Sequence, residues 1–85
     1  MAVDLLEMLF RRIEVAVDRH PKFTRVRGAG GEPELCMDRQ GCTIKIKVIA
    51  KGKRRPEVIW AHGRTPEEAT GDLIEGLDYW AEASS

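Results

Sequence analysis

The sequence predicts an α+β fold, a two-layer sandwich in the order α–β–β–β–(β)–α, with an antiparallel meander sheet and both helices on one face. Three observations carry this prediction. Ile44, Ile46 and Val48 alternate with Thr43, Lys45 and Lys47, the period of a half-buried strand. The first and last stretches of the chain repeat their apolar residues at helical spacing, each in a single stripe. The connections between the central runs are short and carry Gly or Pro, so neighbouring strands pair antiparallel.

The first helix is expected over Val3–Arg19. Leu6, Leu9, Phe10, Ile13, Ala16 and Val17 form its apolar stripe, and Asp4, Glu7, Arg11, Glu14 and Asp18 line the opposite side. Glu7 and Arg11 stand one turn apart, the spacing of a helical ion pair. Leu5, Met8 and Val15 lie on a flank between these faces, with Arg12 among them. They form either the edge of the core or a contact for a partner or a second copy. His20 precedes Pro21, which ends the helix, and reads as a solvated helix-end residue.

A short strand follows over Phe23–Arg27. Gly28-Ala29-Gly30-Gly31-Glu32-Pro33 reads as a hairpin connection to a second strand at Leu35–Met37. It is not a phosphate loop, because no helix follows it. Asp38-Arg39-Gln40-Gly41 has the residues of a type I turn. The central strand from Cys42 then connects through Lys51-Gly52-Lys53-Arg54-Arg55-Pro56 to a last strand at Glu57–His62. Thr65-Pro66-Glu67-Glu68 is a capping box with Pro at the first helical position. Ala69, Leu73, Leu77 and Trp80 give the closing helix its packing stripe, with Ile74 and Ala81 beside it. Gly71 and Gly76 each cost about 1 kcal/mol against Ala in a helix. Close approach of Gly76 to the sheet is the expected compensation.

At 85 residues the chain makes one small domain, 1–85. No apolar run approaches the roughly 20 residues of a membrane span. Asp4 and Glu7 interrupt the apolar residues of the first stretch, unlike a secretory leader. Two cysteines are too few for a disulfide scaffold, so reduced thiols and a cytoplasmic location are expected. The net charge of zero hides an asymmetry. From Arg39 to Arg55 there are seven basic residues and no acidic one, and from Pro66 onward six acidic residues and no basic one. A local basic surface therefore coexists with overall neutrality.

The order α–β–β–β–α resembles that of the double-stranded RNA-binding domain. Pro21 and Phe23 after the first helix, Gly31 and Pro33 before the next strand, and Gly63 before the last helix are similar landmarks. The resemblance implies the fold. That family grips phosphates with lysines at the start of its second helix, where this chain has Thr65, Pro66, Glu67 and Glu68. Its RNA-binding function is therefore not carried over. The strand followed by Gly-x-Thr-Pro-Glu-Glu-Ala is also similar to the end of HicB-type antitoxin domains.

No catalytic residue, cofactor or metal is expected. A cysteine nucleophile needs Cys36 or Cys42 beside His20 or His62. Zinc ligation by the same four residues would need a wider cysteine spacing than is usual. The ordinary reading of both thiols is as small apolar residues. The carboxylates of the last helix form the exposed face of an amphipathic helix.

Two binding readings remain. The favoured one is a small non-enzymatic protein acting through a protein partner, by way of its basic hairpin. The partner would be an acidic protein surface or a protein–nucleic acid complex. Accessory proteins of phages and other mobile elements, including inhibitors of CRISPR effectors, offer the analogy. The alternative is direct nucleic-acid binding, with Lys45, Lys47, Lys51, Lys53, Arg54 and Arg55 contacting phosphates. Trp60 would then stack on a base if it faces the open side of the sheet. Leu5, Met8 and Val15 form the second candidate interface, a homodimer contact included.

Overall fold

The computed structural model describes residues 4–83. It contains α1 (Leu5–Arg19), β1 (Phe23–Arg25), β2 (Glu34–Asp38), β3 (Gly41–Ala50), β4 (Glu57–Gly63), α2 (Pro66–Glu75) and α3 (Leu77–Ala83). The predicted α+β sandwich forms, with an antiparallel sheet covered by helices on one face.

β3 is the centre of that sheet. β4 pairs along one edge, from Cys42↔Gly63 to Val48↔Glu57. On the other edge β2 pairs with Gly41–Lys45 and β1 with Val48–Ala50. β1 and β2 therefore run in the same direction, end to end along β3. The meander holds from β2 to β4, but the expected hairpin between β1 and β2 does not form. Residues 26–33 instead arch out of an interrupted edge strand, opposite Ile46 and Lys47. Gly31 donates its N–H to the Gly28 carbonyl at 3.2 Å and is buried, so the arch curls on itself. Pro33 has no N–H to give to a ladder, and pairing resumes only at Glu34.

Alternation sends Cys42, Ile44, Ile46, Val48 and Ala50 to the helix-covered face, where all are buried. Phe23, Ile59, Ile13, Val17, Ala69, Leu73, Leu77 and Ala81 complete one core cluster. Trp80 is only partly buried against it.

Asp4 caps α1, its Oδ1 accepting the Leu6 N–H at 3.0 Å, so the helix begins at Leu5. Val3, expected as its first residue, lies outside the described residues, as do Ser84 and Ser85. The Thr65 hydroxyl accepts the Glu68 N–H at 3.1 Å, as the capping box predicts. The expected single closing helix is bent in two at Gly76, which has φ −83° and ψ 0°. Hydrogen bonding runs through the bend: the Gly76 N–H reaches the Asp72 carbonyl at 2.9 Å, and the Trp80 N–H reaches the Gly76 carbonyl at 3.0 Å.

The bend gives His20 a partner. Its Nε2 lies 2.8 Å from Asp78 Oδ1 on α3, and its Nδ1 accepts the Lys22 N–H at 3.2 Å. Its side chain is 10% exposed, so the residue expected to be solvated instead ties the end of α1 to α3. Its ring also packs on Phe23, with centroids 5.1 Å apart. Glu14 and Asp18, expected on the solvent side, both hold Arg25 of β1, Asp18 at 2.8 Å. The Asp18 hydrogen bond pushes the Arg25 guanidinium above its ordinary range, against the opposing effect of burial. The expected Glu7–Arg11 pair is not among the ion pairs of the described residues.

The close helix–sheet contact falls at Gly63, not Gly76. A Cβ on Gly63 would stand 2.5 Å from the Ala69 nitrogen, so α2 seats directly on the end of β4. A Cβ on Gly71 would meet nothing within 4 Å. Gly71→Ala should therefore stabilise the domain by about 1 kcal/mol, raising the thermal midpoint by roughly 4–8 °C. Gly63→Ala should cost about 1–3 kcal/mol through overpacking. Thermal melts of the two variants moving in the same direction would contradict this placement.

Candidate functional site

The basic connection is a surface loop on a fixed base. The Lys51 N–H donates to the Lys22 carbonyl at 2.8 Å, and the Lys53 N–H to the Ala50 carbonyl at 2.9 Å. Gly52 takes φ +85° at the third position of this turn, where a type II turn requires glycine or asparagine. Every residue from Lys51 to Pro56 is exposed. The ion pairs of the described residues lie elsewhere, so no carboxylate among them pairs with Lys51, Lys53, Arg54 or Arg55. Four like charges are thus held close together on an anchored backbone and repel one another.

Lys45 and Lys47 belong to a different part of the surface. Both point to the open face of the sheet, opposite Trp60 and Val58 of β4. At about 3.3 Å per residue, Lys47 lies roughly 13 Å from Lys51 along the strand. The six predicted cations therefore form a loop cluster and a strand pair rather than one patch. Lys45 is already engaged, its Nζ 3.6 Å from Glu34. A shallow cavity of about 250 Å³ lies between these lysines, the Gly30–Glu34 segment and Val58.

The sequence left the face of Trp60 undecided; Trp60 and Val58, paired with Lys45 and Lys47, stand on the open face. Val58 is 44% exposed and Trp60 50%. The Trp60 ring lies 6.0 Å from that of Trp80, which lies 5.7 Å from Tyr79. An aromatic run thus leads from the open face to α3. The available signal was Ile59, whose need for the core face sends both of its neighbours outward.

The α1 flank is accessible as well. Leu5 and Met8 are 50% exposed and Val15 is 42% exposed. Met8 and Val15 line a groove of about 610 Å³ between α1 and Ile74 of α2, bordered by Arg11, Arg12 and Arg19. Leu5 does not line it.

The two thiols differ. Met37 pairs with Cys42 and Cys36 with Thr43, so Cys42 faces the core and Cys36 the open side. Cys42 is fully buried, as a small apolar residue should be, but Cys36 is exposed. Cys42 and His62 lie on opposite faces. Cys36 and His62 share a face but flank Thr43, two strand spacings or roughly 10 Å apart. His62 Nε2 lies 3.9 Å from Asp38 instead. No group of three or more metal-ligating side chains occurs among the described residues. None of their helices is long and apolar enough to cross a membrane.

No protein-family model, curated protein or solved structure matches the chain.

Burial pushes the Cys42 thiol up, and Asp38 and Glu68 add to the effect. The unfolded thiol loses its proton near pH 8.5. Above that pH the unfolded chain holds fewer protons than the folded one, so this contribution to stability is full at neutral pH and falls as pH rises. The thermal midpoint should drop more steeply between about pH 8 and pH 10 in the wild type than in Cys42→Ala. Equal slopes would contradict the assignment. In the native protein a thiol reagent should label Cys36 quickly and Cys42 only after unfolding.

Proposed function

We propose that this protein is a small binding module, without catalysis of its own, that docks its basic hairpin on an acidic surface of another protein. The observation that carries this reading is the loop itself. Lys51, Lys53, Arg54 and Arg55 are exposed, paired with no carboxylate among the described residues, and held on a hydrogen-bonded base. A loop needed only to close the hairpin would do better with a two-residue Asn-Gly turn. The adjoining open face adds the half-exposed Trp60 and Val58. Arginine and tryptophan are the residue types enriched at the energetic centres of protein interfaces. Glu34 and Asp38 share that face and disfavour a polyanion lying flat across it. The partner class is an acidic protein or a protein–nucleic acid complex, as for the small inhibitors encoded by phages and other mobile elements.

One observation favours direct nucleic-acid binding as a second reading. Trp60 stands directly opposite Lys45 in the ladder, a stacking ring beside a phosphate-seeking cation. Lys47 and the loop cations would extend that track.

The triple variant Lys53→Glu, Arg54→Glu, Arg55→Glu separates charge from fold. Its thermal midpoint should match wild type, because no described carboxylate pairs with these side chains. Partners captured by the wild-type bait should be lost, and wild-type binding should weaken with salt, mainly through slower association. A salt-sensitive gel shift with random DNA or RNA, abolished by the same variant, would instead establish the nucleic-acid reading. Equal capture of every partner by variant and wild type would reduce the loop to a solubilising turn.

A further inference from the structure

The groove between α1 and α2 lies in the helix layer, away from the open sheet face, and the hairpin reading does not use it. Leu5, Met8, Arg12, Val15 and Arg19 follow one another at steps of three, four, three and four residues. They form one line along the outer side of α1, apolar at Leu5, Met8 and Val15 and cationic at Arg12 and Arg19. The inner stripe of α1, Leu9, Ile13 and Val17, is already buried. The apolar residues of this outer line stay half-exposed, and Ile74 of α2 supplies the far wall of the groove. From Met8 to Arg19 the line runs about 16 Å, or three helical turns.

We propose that this groove docks an amphipathic helix of another protein, with carboxylates along the edge that faces α1. Charge complementarity selects this occupant. Arg11, Arg12 and Arg19 border the apolar floor, and no carboxylate of the described residues lines the groove. None of the three arginines forms an ion pair within the described residues. A second copy seated by two-fold symmetry would set these arginines against themselves, a like-charge contact that opposes association. The opposite wall belongs to a segment with no basic residue from Pro66 onward, which disfavours a lipid headgroup layer or a phosphate backbone. The fitting helix therefore carries Asp or Glu toward α1, Leu or Met at its seam, and Lys or neutral residues toward α2. Aliphatic and methionine side chains such as Met8 adapt readily to such a partner.

The test is selection from a displayed library of three-turn helices with a fixed apolar seam and randomised edges, using the whole chain as target. Selected peptides should be enriched in Asp and Glu on one edge. Their affinity should fall at least tenfold with Val15→Glu, which breaks the floor, and with Arg12→Glu, which leaves the floor intact. The hairpin triple variant should bind them as wild type does, which keeps this site distinct from the hairpin. Thermal melts confirm that both groove variants fold. The proposal is overturned if no acidic edge is enriched over the input library, or if selected peptides bind both groove variants equally well. It is also overturned if sedimentation shows self-association, or anionic vesicles bind the protein, in a manner abolished by Val15→Glu while no peptide is selected.

Discussion

β3 is the one strand that touches every other strand, and the rest of the structure depends on it. Its ten residues pair with β4 on one edge and with β1 and β2 in succession on the other. Its inward side chains, Cys42, Ile44, Ile46, Val48 and Ala50, form the floor on which α1 and α2 pack. No other strand of the described residues could replace it. β1 has three residues and β2 five, and the two are never neighbours in a ladder. Strands so short hold their place only because a longer one templates them. The helices are then fixed by a few specific contacts. Gly63 lets α2 down onto β4, Arg25 gathers Glu14 and Asp18 from α1, and His20 joins α1 to α3 through Asp78.

The same strand divides the surface. Its outward residues and those of β4 leave a sheet face with no helix over it, and its end carries the basic loop. The chain's zero net charge is therefore reached by separation: cations on the loop and the outer flank of α1, carboxylates along α2 and α3. Such a distribution gives weak long-range attraction to any single polyanion, but strong local complementarity to surfaces of the opposite sign. The groove lies in the helix layer and the loop at the end of β3, where Lys51 is tied to Lys22. Loop and groove use different chemistry, nearly pure charge in one and an apolar seam edged with charge in the other.

Much of the fold was legible because its signals are local. The alternation of Ile44, Ile46 and Val48 reports a strand without reference to any other residue, and the capping box at Thr65 reports a helix start in the same way. What the sequence concealed was non-local. β1 is too short to carry a pattern, and its pairing with Ile49 and Ala50 joins residues far apart in the chain. Pro33 was visible, but its effect on an edge strand depends on which strand it faces. The role of His20 depends on the bend at Gly76, which brings up Asp78. The faces of Cys36 and Cys42 turn on register. Pairing Met37 with Cys42 puts the two thiols on opposite sides, and a register one residue different would have put them together. Of the candidate site, the exposure of the loop cations was readable from charge, while helical phase put Leu5, Met8 and Val15 on a flank of α1 without deciding between core edge and contact. The groove was not, because Ile74 comes from the other end of the chain, nor was the separation of Lys45 and Lys47 from the loop.

Native-state hydrogen exchange tests most directly whether β3 is the template. If it is, the amides of Cys42–Val48 that bond to β4 should exchange only through global unfolding, and at one common free energy. Those of β1 and β2 should open at lower free energy, each independently of the other. Exchange of the β4-bonded amides of β3 through local opening, or protection of β1 equal to theirs, would contradict the account.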